Sequence, residues 1–165
     1  MKTKKDLSII VPVYNEQDSL NQLYREIKDN VQDKYSWELI FINDGSSDKS
    51  KEIILDLVNS DSNVKLIDFL INKGKSEALN SGFKKCTGNI VLTLDADLQD
   101  DPNEIGAFVS KVKETNGLVS GWKKNRLDSL SKRIQSKIFN FVLRFLTKIK
   151  LHDFNCGFKA YPLDA

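Results

Sequence analysis

The chain has 165 residues, of which 40% are hydrophobic and 29% charged, and its formal net charge is +2. This composition is ordinary for a globular protein, and the length is enough to bury one core. The two cysteines, Cys86 and Cys156, have neither metal-site spacing nor the pattern of a disulfide framework. No leader peptide is visible, and no apolar run reaches the roughly 18 residues of a membrane-spanning helix. We expect one soluble domain over residues 1–165.

Hydrophobic periodicity predicts strands that alternate with helices along the chain. The predicted strands are residues 8–13, 37–42, 64–69, 90–94 and 118–121. The helix after the first strand has apolar residues at helical spacing, namely Leu20, Leu23, Tyr24, Ile27 and Val31. This alternation predicts an α/β fold with a mostly parallel sheet, in which ligands bind beyond the carboxyl ends of the strands.

The other helices are predicted from their start signals and their apolar faces. Ser46 or Ser47 is predicted to cap the second helix, whose inward residues are Ile53, Ile54, Leu57 and Val58. The third helix is predicted over residues 76–85, and Pro102 or Asn103 is predicted to open the fourth.

Polar segments follow four of the predicted strands, at residues 14–16, 43–48, 72–75 and 95–97. In a parallel sheet these segments converge on one crevice. Their acids can accept hydrogen bonds from a base and a ribose, and Lys73 and Lys75 can neutralise phosphate. The chain has no glycine spacing typical of a dinucleotide fingerprint or a P-loop. The pattern favours a nucleotide held by acids and a metal rather than by a glycine-rich cradle.

Two carboxylates spaced one residue apart, Asp95 and Asp97, come directly after the apolar run 90–94, and Gln99 adds an oxygen two residues further on. Like charges held this close need a cation or hydrogen-bond donors nearby. A hard divalent ion with phosphate co-ligands is one such partner. An ordinary polar loop after a buried strand explains this stretch equally well when it is taken alone.

A basic segment lies late in the chain, where residues 123–150 hold nine Lys or Arg and a single acid, Asp128. Within it, an apolar stripe at helical spacing contains Ile138, Phe141, Val142, Phe145, Leu146 and Ile149. A basic helix of this kind over residues 128–150 can lie in a membrane interface. A solvated helix face, or a helix packed on the sheet, is the alternative.

Three motifs resemble those of the family-2 inverting glycosyltransferases with the GT-A fold. They are Val-Pro-Val-Tyr-Asn-Glu at 11–16, Asn-Asp-Gly-Ser-Ser-Asp at 43–48 and Asp-Ala-Asp-Leu-Gln-Asp at 95–100. Residues 121–136 and 151–161 are similar to the branch that contains dolichol-phosphate mannosyltransferases and bacterial undecaprenyl-phosphate glycosyltransferases. The resemblance covers nearly the whole chain and implies transfer of a hexose from a UDP- or GDP-sugar to a polyprenyl phosphate.

The resemblance also implies roles for single residues of the donor site. Pro12, Tyr14 and Glu16 match residues that hold the nucleoside, and Asp44 matches the acid that reads the base edge. Asp95, Ala96, Asp97 and Gln99 match the segment that touches the sugar diphosphate and its metal. Lys75, from the polar segment 72–75, is expected to bind the nucleotide sugar as well. Asp97 and Gln99 are the expected ligands of Mg²⁺ or Mn²⁺.

For the acceptor, the resemblance implies a phosphate clamp and one further acid. Lys123, Arg126 and Arg133 are expected to hold the lipid phosphate, although the family commonly has Arg where this chain has Lys123. Asp153 is expected to be catalytic together with Asp95, as a base or as an orienting group. A phosphate monoester is largely ionised at neutral pH and needs no base, whereas a sugar hydroxyl does.

Two other functions stay open at this point. One is a family-2 enzyme with a soluble glycan acceptor, and the other is a non-catalytic nucleotide-binding module at a membrane. We expect action at the cytoplasmic face of the membrane, possible oligomers and no nucleic-acid partner. Because resembling enzymes continue beyond the Asp153 motif, we also expect a C-terminally truncated domain.

Overall fold

The computed structural model describes residues 4–121 and 156–163. Strands and helices alternate through the first of these ranges. The first range contains β1 (Lys5–Val13), α1 (Leu20–Val31), β2 (Trp37–Asp44), α2 (Ser50–Ser60), β3 (Val64–Phe69), α3 (Lys75–Phe83), β4 (Gly88–Thr93), a 3₁₀ turn (Pro102–Glu104), α4 (Ile105–Thr115) and β5 (Val119–Ser120), and the second range contains β6 (Lys159–Pro162).

The strands form one six-stranded sheet in the order β3-β2-β1-β4-β6-β5. Strands β1 to β4 pair in parallel, and β6 runs antiparallel to both β4 and β5. The mostly parallel α/β sheet is therefore as predicted. Strand β6 was not predicted, because four residues that include Lys159 and Pro162 carry no clear strand pattern.

The two faces of the sheet are covered by different helices. Ile9 and Val11 of β1 face the larger core, which contains the apolar residues of α1, α2 and α4. Ile10 faces the other way, into a smaller cluster with Ile42 and with Ala78 of α3. Because alternate residues of β1 are buried on both faces, the strand reads as a continuous apolar run, which is typical of a central parallel strand.

The predicted cap of α2 is wrong. The helix begins at Ser50 after Lys49, whose side chain makes no cap bond, and Asp48 Oδ1 accepts the N–H of Ser50 at 3.0 Å. Strand β2 continues through Asp44, and the serines that follow bond to the loop after β1 instead: Asn15 N–H donates to Ser46 Oγ, and Ser47 N–H donates to Asn15 Oδ1. The Ser46 hydroxyl, which the local sequence pattern predicts as a cap of α2, therefore bonds to Asn15 in another loop.

Several predictions fall outside the described residues. These are Lys123, Arg126, Arg133, Asp153 and the amphipathic helix over 128–150. Within 4–121 and 156–163, none of the helices is long and apolar enough to cross a membrane.

Candidate functional site

A cavity of about 340 Å³ lies at the carboxyl edge of the parallel strands. This volume is within the range typical of small-ligand pockets. All eight residues predicted to bind the nucleotide sugar line the cavity, together with Val13, Asn72 and Gly74; the eight are Pro12, Tyr14, Glu16, Asp44, Lys75, Asp95, Ala96 and Asp97. Gln99 and Lys73 are not among its lining residues. The structure thus brings three strand-end motifs to one place.

Hydrogen bonds between the loops after β1 and β2 hold Tyr14 and Glu16 at the cavity. Asn15 has a left-handed backbone with φ 56°, which lets the loop turn back sharply after β1. Glu16 N–H donates to Ser50 Oγ at 2.9 Å, and Gln17 N–H donates to Asp48 Oδ2 at 3.1 Å. Tyr14 keeps 51% of its surface exposed, so its ring is available to a ligand.

Asp44 holds the loop after β3, which forms another wall of the cavity. Its two carboxylate oxygens accept the N–H groups of Lys73 and Gly74 at 2.7 and 2.9 Å. A Cβ on the neighbouring Gly45 would lie 2.5 Å from Asn72 N, so the two loops are in direct backbone contact. Each carboxylate oxygen has a further lone pair, and the predicted role of Asp44 in reading a base edge is compatible with these bonds.

The acidic pair occupies a tight loop after β4. The N–H of Asp95 donates to Oδ2 of Asp100, which is buried, and the N–H of Gln99 donates to Oδ1 of Asp97 at 3.1 Å. Leu98 adopts a left-handed backbone between them, with φ 59°. Lys75 Nζ forms an ion pair with Asp95 Oδ1 across the cavity. Asp95 is therefore restrained, whereas Asp97 is exposed, and Oδ2 of Asp97 has no protein donor among the described residues.

Negative charge accumulates on one side of the cavity. The pKa of Glu16 is raised, first by burial and then by the charge of Asp97, with smaller contributions from Asp48 and Asp95. A bound cation would relieve this repulsion. Carboxylates suit Mg²⁺ and Mn²⁺, which commonly take one or two of them and complete their coordination with phosphate oxygens and water. In the described part of the chain, no three His, Cys, Asp or Glu side chains form a complete metal cage. These carboxylate oxygens suit a metal ion that completes its coordination with the oxygens of a phosphate ligand.

Sequence reasoning missed two residues that shape this site. Asp100 closes the acidic loop by accepting the Asp95 N–H, and Gly157 packs directly against the Asp95 carboxylate. Asp100 sits in a recognisable motif and could have been singled out as a buried loop acid. Gly157 could not, because its contact with Asp95 spans 62 positions of sequence.

The chain is similar to curated sugar transferases along most of its length. It is 36% identical over 160 residues to an undecaprenyl-phosphate 4-deoxy-4-formamido-L-arabinose transferase of Salmonella choleraesuis, and equally to that of Salmonella typhimurium. Each match covers 95% of this chain and 49% of the relative. The chain therefore spans about half the length of the curated relatives it matches.

Solved structures with low sequence identity have the same fold. A Pyrobaculum calidifontis mannosyltransferase solved with GDP-Man and Mn²⁺ matches with a TM-score of 0.68 and 21% identity, over 98% of this chain and 45% of that one. A Mycobacterium tuberculosis glucosyl-3-phosphoglycerate synthase solved with Mn²⁺ and UDP-glucose matches with a TM-score of 0.73 and 19% identity, over 97% and 57%.

These structural neighbours are GT-A glycosyltransferases, so the predicted GT-A fold is confirmed. The model of the family "Glycosyl transferase family 2" matches residues 8–165, which is nearly the whole chain. The chain therefore belongs to glycosyl transferase family 2.

Proposed function

We propose that this chain carries the donor site of an inverting glycosyltransferase that moves a hexose from a UDP- or GDP-sugar to a polyprenyl phosphate at the cytoplasmic face of a membrane. The observation that carries the proposal is the convergence of three strand-end motifs on one cavity that also holds Lys75. The curated relatives, which are named as undecaprenyl-phosphate transferases, support the lipid acceptor.

The donor site divides into a nucleoside end and a diphosphate end. Tyr14 and Glu16 hold the nucleoside, and Asp44 accepts a hydrogen bond from an N–H on the edge of the base. Lys75 leaves its partner Asp95 to meet the diphosphate, since an ammonium group pairs more strongly with the two negative charges of a diphosphate than with one carboxylate. Asp95 is then free to contact the nucleotide or the sugar.

A divalent ion fits the acidic loop. Asp97 and Gln99 are the proposed ligands, and the ion, Mg²⁺ or Mn²⁺, would supply charge neutralisation for the departing diphosphate. The exposed Oδ2 of Asp97 supports this assignment, while the N–H bond from Gln99 fixes the other oxygen. Gln99 is exposed and lies outside the cavity lining, so its part in the site depends on reaching the ion from the loop.

The acceptor half of the proposal involves residues 122–155, which include Lys123, Arg126, Arg133 and Asp153. The described residues on either side of this segment meet: Gly121 N–H donates to Phe158 O at 2.9 Å. Gly157, beside Phe158, contacts Asp95. The basic segment is therefore joined to the fold next to the acidic loop, which supports an acceptor phosphate close to the donor sugar.

The chemistry of a phosphate acceptor sets the role of Asp153. The second pKa of a phosphate monoester is about 6, so its oxygen is already a nucleophile at neutral pH. Asp153 then orients the acceptor or the sugar, and Lys123, Arg126 and Arg133 hold the phosphate. Single displacement from the face opposite the diphosphate gives inversion.

A thermal-shift panel tests the donor half. UDP, GDP and their hexose derivatives are each added with and without Mn²⁺. At a hundredfold excess over the dissociation constant, the correct nucleotide with Mn²⁺ should raise Tm by about 5–10 °C. The Asp97→Asn variant should lose the Mn²⁺-dependent part of the shift. The control is Asp33→Asn, which removes an exposed acid at the far end of α1 and should behave as wild type.

The donor assignment fails if no nucleotide gives a Mn²⁺-dependent shift. The acceptor half is tested separately, by transfer from the stabilising nucleotide sugar to a short polyprenyl phosphate in the full-length protein. Transfer to lipid-free sugars but not to the polyprenyl phosphate would point to a glycan acceptor instead.

A further inference from the structure

The segment that contains Gly157 packs behind the acidic loop. A Cβ built on Gly157 would lie 2.5 Å from both Cγ and Oδ1 of Asp95, and closer still to Oδ2. Real side chains do not approach this closely, because carbon and oxygen atoms repel strongly at separations below about 3 Å. The carboxylate of Asp95 therefore fills the space that any other residue at position 157 would need.

Space, rather than backbone conformation, is what requires a glycine here. Among the described residues the glycines with positive φ are Gly45 and Gly74, and Gly157 is not one of them. An alanine at position 157 is thus compatible with the local backbone. Its methyl group would act only by displacing a neighbour.

The backbone of Gly157 has little freedom to retreat from such a methyl group. Thr93 Oγ1–H donates to Gly157 O at 2.7 Å, and the next residues form β6, whose Lys159 pairs with Thr93 of β4. The ring of Phe158 stacks on Phe108 of α4 with centroids 4.0 Å apart. Since the segment is held by β4 on one side and by α4 on the other, the carboxylate must move instead.

Asp95 in turn is coupled to the rest of the site. Lys75 Nζ pairs with its Oδ1, and its N–H bonds to the buried Asp100. The carboxylate is in contact with both Gly157 and Lys75, so a methyl group at position 157 that displaces it also disturbs its ion pair with the lysine. This displacement changes the positions of two residues that line the cavity.

We propose that Gly157 is a positioning residue for Asp95: the missing side chain creates a seat, the space that holds the Asp95 carboxylate next to Lys75 in the ligand-free site and directs it at the nucleotide or the sugar of a bound donor. The role assigned to the seat rests on the proposed donor site. The contact itself does not, and the two can be tested independently.

The contact is tested in the ligand-free protein by a double-mutant cycle. Gly157→Ala should lower Tm by about 4 °C or more, because the methyl group is forced into an occupied space. In an Asp95→Ala background the same substitution should cost much less, since the seat is empty. An equal loss of Tm in both backgrounds overturns the proposal. Failure of Gly157→Ala to fold in both backgrounds also overturns it, whereas folding of Gly157→Ala in the Asp95→Ala background alone supports it.

The functional role is tested with UDP and GDP, each in the presence of Mn²⁺, by measuring Kd. Gly157→Ala should weaken binding about 10–100-fold, as loss of a supporting contact does at metal sites. In the Asp95→Ala background it should change Kd less than about twofold, as expected for a residue that acts through Asp95. The control is Gly106→Ala on α4, where an added Cβ meets nothing within 4 Å.

The outcomes separate the two ideas. If the wild-type chain binds neither nucleotide, the donor site fails while the ligand-free cycle still decides the contact. If binding is unchanged in Gly157→Ala, the positioning role fails while the donor site stands.

Discussion

Two glutamates at opposite edges of the central sheet lie in opposite electrostatic environments. At the amino edge, Glu38 of β2 is fully buried and accepts hydrogen bonds from Ser8 Oγ at 2.5 Å and from the N–H and Oγ1 of Thr87 at 2.6 and 2.8 Å. Lys65 pairs with its other oxygen. At the carboxyl edge, the side chain of Glu16 accepts one long bond within the described residues, from Ser19 Oγ at 3.4 Å, and lies near other acids.

The pKa values of these two glutamates express the difference. Burial is the largest single influence on both glutamates, and by itself it would raise both pKa values. At Glu38 the bonds from Lys65, Ser8 and Thr87 outweigh burial, so its pKa is lowered. At Glu16 the charge of Asp97 adds to burial, so its pKa is raised. Glu38 is therefore stabilised in its charged form and supports the fold, while Glu16 lies among like charges that a bound cation can neutralise.

Breaking the network at the amino edge should have the largest effect on stability. Glu38→Ala leaves Ser8, Thr87 and Lys65 without their acceptor, so the free energy of unfolding should fall by about 3 kcal/mol. Urea denaturation measures it. Glu52→Ala removes an exposed acid from the first turn of α2 and serves as the control. A loss below about 1 kcal/mol at Glu38 would mean that water replaces its partners.

Neutralising the acid at the carboxyl edge should have a smaller effect of opposite sign. A raised folded-state pKa means that folding disfavours ionised Glu16, so Glu16 lowers stability once pH exceeds its unfolded value near 4.5. Glu16→Gln should then stabilise the ligand-free protein, increasingly as pH rises from 4 to 7. The contribution of Glu38 runs the other way, present above pH 4.5 and lost as pH falls.

Urea denaturation across this pH range, on both glutamine variants, compares the two slopes directly. Slopes of the same sign for Glu16→Gln and Glu38→Gln would remove the contrast between the edges.

Two serines, one at each edge, allow a comparison in which a single hydroxyl is removed from each. Ser8 Oγ is buried and joins Glu38 to the Gly88 N–H, so Ser8→Ala should cost about 2 kcal/mol. Ser46 Oγ accepts the Asn15 N–H at the surface, where water can replace it, and Ser46→Ala should cost about 0.5 kcal/mol. Equal losses in urea denaturation would show that exposure does not separate the edges.

The sequence predicts most of the sheet and the lining of the cavity, for a physical reason. Buried parallel strands are continuous apolar runs, and polar residues directly after them must lie at the carboxyl edge. The prediction of Tyr14, Asp44 and Asp95 at one place needed only this rule. It predicts their position, while the nucleotide-binding roles rest on the resemblance and stay proposals.

Features that depend on tertiary contacts were beyond reach of the sequence. Asn43 and Asp44 look like loop residues because both types are rare in strands, yet pairing with β3 extends β2 through them. Ser46 looks like a helix cap, but Asn15 from another loop takes its hydroxyl. The contact between Gly157 and Asp95 links residues far apart in sequence, and no local sequence pattern predicts such a contact.

The bond between Gly121 and Phe158 has an evolutionary consequence. The 34 residues from 122 to 155 connect two points that already touch, so the sheet does not depend on their length to bring β5 and β6 together. We expect insertions or deletions in this segment to leave β5 and β6 paired, because the paired residues lie outside it. We therefore expect the segment to vary in length among members of the family more than the strands that it connects.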